Sequence, residues 1–161
     1  SAPYRRARIL SFLNPEADIQ GTGYQAYQSL IAVGTGGLTG LGLGDGRQKL
    51  FFLPYPYTDF IYAIVGEELG LIGCAIVLGL FGMVFARAMR AAVNAPDSFG
   101  RLLGTGLAVM IVVQALVNIS VVLALLPTKG IPLPFISYGG SALWADLIAV
   151  GILLNVSQHA P

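Results

Sequence analysis

Three long runs of uncharged, mostly apolar residues limit what this chain can fold into. Residues 69–86 and 102–128 contain no Asp, Glu, Lys or Arg, and residues 130–158 contain only Asp146. A helix needs about 20 mostly apolar residues, within a range of about 17 to 25, to cross the hydrocarbon core of a bilayer. Charged residues make up 11% of the chain, whereas soluble domains carry about 25%. The sequence therefore predicts an all-α integral membrane protein with about three transmembrane helices.

The rest of the chain divides around these runs. Residues 60–66 extend the first run upstream, so we expect the three spans at about 59–86, 102–126 and 134–158. Residues 1–58 form a long polar region, in which residues 23–33 have the spacing of a short helix that suits the membrane surface. The given sequence does not open with the apolar run that a signal peptide would have. Because the chain starts without Met and three spans make a thin bundle, we expect a piece of a longer protein.

Charge and cysteine content exclude several other classes. The net charge is +1, and no basic cluster is dense enough to indicate nucleic acid binding. The basic stretch at residues 4–8 favours contact with anionic lipid or phosphate at the bilayer surface. Cys74 stands alone in an apolar run, which is typical of an inert buried thiol. His159 has no second ligand near it, so the sequence does not support a histidine metal site.

The distribution of Lys and Arg predicts which side of the membrane each loop faces. The connection between the first two spans holds three arginines against one acid, Asp97, and short basic loops tend to face the cytoplasm. Residues 1–59 carry five basic residues of their own, but a segment of that length translocates with less regard to charge. Antiparallel spans place Asp59 and Lys129 on one face, which we predict to be extracytoplasmic.

A glycine-rich run precedes the first span. Residues 34–46 contain seven glycines in thirteen positions. The run has neither of the glycine patterns of nucleotide-binding loops, and no strand pattern precedes it. We therefore expect a tight irregular loop that uses positive φ angles and close packing. An anion site of backbone N–H groups beside Arg47 and Lys49 stays open as an alternative.

Three carboxylates stand where the first span begins. Thr58 is a candidate N-cap, so Asp59 is expected in the first helical turn, where the helix dipole favours its charged form by about 0.3 to 1 kcal/mol. There it would be available as a base or a cation ligand. Glu67 would lie about 12 Å further along a helix and about 80° around it, which excludes the facing carboxylate pair that glycosidases use. For Glu67 and Glu68 we favour a structural, hydrogen-bonded role over direct catalysis.

Polar residues also occur in the other two runs. Gln114 and Asn118 share one helix face at i and i+4, and the pair fits interhelical hydrogen bonding or the polar wall of a substrate groove equally well. The prolines and the glycine pair of residues 127–141 exclude a regular helix. Irregular backbone at membrane depth requires burial or a wet cavity, so we predict a cavity wall with Lys129 as its positive charge. For Asp146 three interpretations stay open: a functional site, a neutral carboxyl group, or a carboxylate paired with another helix.

Several of these stretches together resemble one family. They are YRRARILSFLNP at residues 4–15, RQK at 47–49, TDFI at 58–61, GEELG at 66–70, PTKG at 127–130 and PFISYGGS at 134–141. Over nearly its whole length the chain resembles the SEDS (FtsW/RodA/SpoVE) glycosyltransferases, the shape, elongation, division and sporulation family. The RQK and GEELG stretches favour the division branch. Family members have ten transmembrane helices, so the resemblance implies a long extracytoplasmic loop with short helices, followed by the last three helices of that fold.

The resemblance also implies a function. It implies a peptidoglycan polymerase of the bacterial plasma membrane that joins lipid II units in cell division, beside a class B penicillin-binding protein and other divisome membrane proteins. Asp59 matches the family's essential aspartate and would take the proton of the acceptor sugar's 4-hydroxyl as it attacks the donor's anomeric carbon with inversion. Lys129 matches an important lysine and would steady the departing polyprenyl pyrophosphate. The candidate binding residues for substrate and pyrophosphate are Lys129, Arg47, Lys49, Gln48, Ser137, Gln114 and Asn118.

This sequence departs from the family pattern at three positions. The family usually has Pro-Glu-x-His-Thr-Asp, where this chain has Tyr55 and Tyr57, so any help that the acid and the histidine give the aspartate does not carry over. Asp146 stands where relatives commonly have an uncharged residue. The sequence establishes no cofactor, and a divalent cation, Mg²⁺ or Mn²⁺, at Asp59 stays an open alternative.

Two other functions stay open. Broken helices and carboxylates within the membrane also fit a transporter of lipid-linked precursors, a flippase. A non-enzymatic divisome scaffold would keep its function without Asp59. We expect no activity from the isolated 161-residue chain, because three spans are too few to enclose a lipid substrate.

Overall fold

A computed structural model of the protein describes residues 22–42, 44, 59–127 and 130–159. The regular elements in these ranges are the helices α1 (Thr22–Gly36), α2 (Ile61–Val93), α3 (Ser98–Val122) and α4 (Gly140–Gln158). They confirm the predicted all-α class, and α1 confirms the short helix expected over residues 23–33. Outside the described residues lie Arg47, Gln48, Lys49, Tyr55, Tyr57, Thr58 and Lys129.

Helices α2, α3 and α4 are long and apolar enough to cross a membrane, with 33, 25 and 19 residues. This confirms the three predicted spans, although their bounds differ from the expected ones. Helix α2 continues past its apolar run to Val93 and carries two arginines toward its end. Helix α3 begins at Ser98 because the Asp97 side chain caps it, accepting a hydrogen bond from Gly100 N at 2.7 Å. Helix α4 begins at Gly140 rather than near residue 134, and residues 134–139 are turn or irregular.

Helix α2 is broken at Gly70, where the loop after α1 packs against it. The φ of 66° and ψ of −162° at Gly70 lie outside the helical region and suit only glycine. Four backbone hydrogen bonds join the loop to α2: Leu41 N to Glu67 O, Gly42 N to Glu68 O, Leu71 N to Gly37 O and Ile72 N to Leu38 O. A Cβ on Gly40 would overlap the Glu68 carbonyl. The predicted tight glycine loop with positive φ angles is therefore confirmed for residues 37–42, whereas residues 34–36 belong to α1 and contradict it there.

The buried side chains form two clusters. The larger one joins α1, α2, α3 and the segment after α3 at the end of the bundle that carries Asp59; its members include Ala32, Phe60, Cys74, Ala115, Val122 and Leu133. The smaller one joins α2, α3 and α4 toward the other end, through Ala88, Ala108, Ile111, Ala149 and Leu153. Ser29 in α1 is fully buried and donates to the Val122 carbonyl at 2.8 Å. Helix α1 is thereby fixed against the end of α3.

Candidate active site around Asp59

Asp59 lies in the turn that leads into α2. The helix begins at Ile61 with Phe60 at the cap position, so the expectation that Asp59 occupies the first helical turn behind a Thr58 cap is wrong. The Phe60 side chain is 4% exposed, and its carbonyl accepts from Ala63 N at 3.0 Å. Burial of Phe60 in the core therefore fixes the start of α2 two residues after Asp59, whose own side chain stays partly exposed.

The side chain of Asn118 joins this turn to the segment after α3. Its Nδ2 donates to the main-chain carbonyl of Asp59 at 2.9 Å and to that of Ile131 at 2.7 Å. A side-chain amide has two protons to donate, so both are used, and the two carbonyl acceptors determine which way the amide faces. Asn118 is 1% exposed, so bulk water does not compete for these bonds.

Gln114 lies one turn before Asn118 on the same face of α3. Its Nε2 donates to the Pro132 carbonyl at 3.1 Å. Both amides therefore hold the backbone of the proline-rich segment, which differs from the interhelical hydrogen bonding considered for this pair because the acceptors lie outside the helices. Within the described residues, the buried Oδ1 of Asn118 has no donor. Substrate contacts of Gln114 and Asn118 stay predictions.

Ser137 and Asp146 hold the same segment further along the chain. Ser137 Oγ accepts from Leu133 N at 2.7 Å, and Asp146 Oδ2 accepts from Phe135 N at 3.4 Å. Phe135 has a φ of 63°, a left-handed conformation that is unfavourable for a bulky side chain. Asp146 is 3% exposed. The observed partner of Asp146 is the backbone of a turn, which differs from the pairing with another helix that was considered.

The proline-rich segment reaches the Asp59 carboxylate at Gly130. A Cβ built on Gly130 would lie 3.2 Å from Asp59 Oδ2. The carboxylate therefore lies against the residue that follows Lys129 in sequence. Residues 130–139 are irregular or turn, as the prolines predict, and Leu133 and Pro134 are buried. Phe135, Ile136 and Tyr138 are exposed, so this irregular backbone is covered by protein only in part.

Glu67 and Glu68 lie at the break in α2. Glu67 is 1% exposed, whereas Glu68 is partly exposed. Their main-chain carbonyls accept hydrogen bonds from the loop after α1. About two helical turns separate them from Asp59, or about 12 Å along the axis, so they form no facing pair with it. The structural role of their carboxylates stays a prediction.

A shallow, open groove of about 540 Å³ runs along the exposed face of α3 and ends at the proline-rich segment. It is lined by Gly106, Val109, Met110, Val113, Gln114, Val117 and Ile131. Gln114 and Ile131 place one end beside the Asn118 bridge, while Gly106 lies deeper in the span. Gln114 is the one polar side chain among these lining residues. The groove therefore connects the neighbourhood of Asp59 with the apolar middle of the molecule.

The described part of the chain contains no group of three His, Cys, Asp or Glu side chains that could hold a metal ion. Asp59 alone therefore does not define a cation site, since a divalent cation takes several oxygen ligands. The four predicted anion-binding residues Arg47, Gln48, Lys49 and Lys129 lie outside the described residues. Their contacts with substrate stay predictions.

Known proteins resemble the chain over its whole length. The family model FTSW_RODA_SPOVE, described as a cell cycle protein, matches residues 1–161. A probable peptidoglycan glycosyltransferase FtsW of Trichlorobacter lovleyi is 55% identical over 154 residues, which cover 96% of this chain and 40% of that protein. Stage V sporulation protein E of Bacillus subtilis is 54% identical over 160 residues, which cover 99% of this chain and 44% of that protein.

A solved structure also matches, with a TM-score of 0.75 and 33% identity over 97% of this chain and 42% of the matched chain. The description of this structure reads "Structural coordination of polymerization and crosslinking by a peptidoglycan synthase complex". The chain thus spans less than half the length of each of these three relatives.

Proposed function

The chain belongs to the FtsW/RodA/SpoVE family of cell cycle proteins, and we propose that the protein containing it is a peptidoglycan glycosyltransferase that joins lipid II units into glycan strands in cell division. One observation carries the proposal: the partly exposed Asp59 carboxylate lies against Gly130, beside the end of an apolar groove along α3. A polar centre at the end of a span with an apolar groove below it suits a substrate that has a sugar head and a lipid tail.

Asp59 acts as the general base in this proposal. The 4-hydroxyl oxygen of the acceptor sugar attacks the anomeric carbon of the donor, and the bond from that carbon to the pyrophosphate oxygen breaks. The hydroxyl proton passes to the Asp59 carboxylate. Attack from the side opposite the leaving group inverts the linkage. A positioned general base contributes about 10² to 10⁴ in rate.

Positive charge for the departing polyprenyl pyrophosphate is assigned to Lys129, assisted by Arg47 or Lys49. Charge placed where negative charge develops lowers the barrier, because the site need not reorganise during the reaction. Gly130 lies against Asp59 and is the neighbour of Lys129 in sequence, which supports this assignment. The remaining candidates for contacts with the sugar and phosphate groups are Gln48, Ser137, Gln114 and Asn118.

A class B penicillin-binding protein, which cross-links the strands, is the proposed partner. The solved relative is a complex that coordinates polymerization and crosslinking. We place Asp59 and Lys129 on the extracytoplasmic side of the inner membrane, where such a partner would act. This orientation is supported by the arginines Arg87, Arg90 and Arg101 around the short α2–α3 connection at the opposite end of the bundle.

Transport of the lipid-linked precursor is the second candidate function. The observation that favours it is the irregular backbone in two places, at Gly70 and over residues 130–139. Transporters use broken helices to build substrate sites within the membrane. A scaffold function has no such observation in its favour.

Glycan formation and lipid II translocation, measured on the same purified full-length protein with its partner, distinguish these functions. We expect polymer from the wild type, loss of polymer in Asp59→Asn, and retention in Asp97→Asn. The Asp97 variant is the matched control, because Asp97 caps α3 at the other end of the bundle and asparagine caps about equally well. Translocation without polymer in the wild type would overturn the proposal in favour of a flippase.

A further inference from the structure

The irregular segment that faces Asp59 is held by side chains from two different spans. Asn118 in α3 binds its beginning at Ile131 O, and Asp146 in α4 binds its middle at Phe135 N. Neither contact is local in sequence, so the position of the segment depends on how α3 and α4 pack. We propose that Asn118 and Asp146 are positioning residues, which hold the segment 130–137 at a fixed distance from the Asp59 carboxylate. The inference rests on the proposed function, in which Asp59 is the base.

Asn118 is suited to this role because its one amide nitrogen donates hydrogen bonds both to the turn of Asp59 and to the segment 130–137. Its two donated bonds, at 2.9 and 2.7 Å, join the turn of Asp59 to Ile131. Loss of the amide would leave two carbonyls without this donor in a site that is 1% exposed at Asn118. Buried acceptors without a donor are unfavourable, so we expect the turn and the segment to move apart or to admit water.

Asp146 stabilises a conformation that the segment would not hold by itself. Phe135 has a positive φ of 63°, and such a conformation persists only where the surroundings over-determine it. The carboxylate of Asp146 accepts from the N–H of this residue, and the preceding Pro134 is buried. Within the described residues no Lys or Arg contacts Asp146. Its role is therefore that of a hydrogen-bond acceptor, which an uncharged amide oxygen can fill equally well.

The distance between the two sides can be measured without any catalytic activity. A cysteine at position 59 would place its Sγ near the present Asp59 Cγ, which lies 4.0 Å from a Cβ at position 130. A disulfide between Asp59→Cys and Gly130→Cys then needs only a small movement. The full-length protein would carry this pair, Cys74→Ala, and a protease site between Ala95 and Pro96. Cleavage separates the two halves unless the disulfide joins them.

We expect rapid cross-linking in this background. Asn118→Leu and Asp146→Leu should each slow it by about tenfold, equivalent to about 1.4 kcal/mol, which is within the range for loss of an intramolecular hydrogen bond. Asp146→Asn, which keeps an acceptor, should cross-link at the parent rate. Asn155→Leu is the matched control, since Asn155 is exposed near the far end of α4, and it should have no effect.

The same substitutions in the protein with Asp59 intact test the effect on the reaction. Both Asn118→Leu and Asp146→Leu should lower kcat for polymerisation by about tenfold. The KM for lipid II should stay within about twofold in Asp146→Leu, as expected when transition-state alignment alone is lost. Asp146→Asn should have the kcat of the wild type, in contrast to Asp146→Leu.

Unchanged cross-linking in both leucine variants would overturn the inference, as would loss of cross-linking in Asp146→Asn at normal membrane levels. If Asn118→Leu fails to accumulate, Asn118→Asp keeps the shape and exchanges the amide nitrogen for an oxygen, and unchanged cross-linking there is equally contradictory. Because cross-linking needs no lipid II, its outcome is independent of whether Asp59 is the base. Full polymerisation by Asp59→Asn would instead remove Asp59 as the base and leave the distance result standing.

Discussion

Asn118 Nδ2 lies 2.9 Å from the main-chain oxygen of Asp59 and 2.7 Å from that of Ile131. One buried amide in the middle span thus connects the entrance of α2 to the segment that leads into α4. The candidate base and the proline-rich segment beside it are therefore parts of one packed unit. Changes that loosen the packing of α3 are expected to affect both.

Gly40 allows the loop after α1 to approach the break in α2. Its φ is 82°, and a Cβ there would overlap the Glu68 carbonyl. We expect Gly40→Ala to destabilise the protein by about 1–3 kcal/mol, because it adds backbone strain to this overlap. The midpoint of thermal unfolding in detergent measures the loss. Gly79→Ala, where a Cβ meets nothing within 4 Å, should be neutral or slightly stabilising, and an equal loss in both would contradict the close packing.

Ser29 connects α1 to α3 through a buried hydrogen bond to the Val122 carbonyl. Ser29→Ala should lower the free energy of unfolding by about 1–3 kcal/mol, because it leaves a buried acceptor without this donor. Unfolding in denaturant, with helical circular dichroism as the signal, gives the value. Ser157→Ala is the control, since Ser157 is exposed and donates to Leu154 O within its own helix; it should change stability by less than about 0.5 kcal/mol. Equal effects would show that α1 is not fixed by this contact.

The Asp97 side chain determines where α3 begins, by accepting from Gly100 N at 2.7 Å. Asp97→Ala should cost about 0.5–2 kcal/mol, whereas Asp97→Asn should be close to neutral because asparagine is an equally good cap. Thermal unfolding of the two variants beside the wild type tests this order. Similar destabilisation by both would indicate that the charge of Asp97 matters rather than its cap.

Accessibility of single cysteines tests the proposed orientation. Tyr138 is 81% exposed at the Asp59 end of the bundle, and Phe99 is 74% exposed at the other end. In intact spheroplasts, a membrane-impermeant thiol reagent should label Tyr138→Cys and leave Phe99→Cys unlabelled until the cells are permeabilised. The charge distribution around the α2–α3 connection is the reason for this expectation. The reverse pattern would place Asp59 on the cytoplasmic side.

Local rules are sufficient to predict the class and the irregular segment. Apolar runs of sufficient length must be helical inside a bilayer, where every backbone group needs a partner. The prolines of residues 127–134 likewise exclude a regular helix wherever they lie. These features follow from the residues themselves, and the helices and turns found here agree with them.

Features that depend on contacts between distant residues could not be predicted in this way. Helix α2 contains several glycines, but only Gly70 has a non-helical conformation, because the loop of residues 37–42 meets the helix there. No pattern within α2 distinguishes Gly70 from Gly79 or Gly82. The partner of Asp146 was also unpredictable, because it is the backbone N–H of a turn that α4 packs against.

The rate of glycan formation in Asp59→Asn tests the central claim most directly. Labelled lipid II would be polymerised by the full-length protein with its penicillin-binding partner, at matched protein levels, with Asp97→Asn as the control for the same chemical change. If Asp59 is the base, its variant should lose at least about a hundredfold in rate while the control stays near the wild type. Polymerisation by Asp59→Asn at the rate of the control would contradict the account.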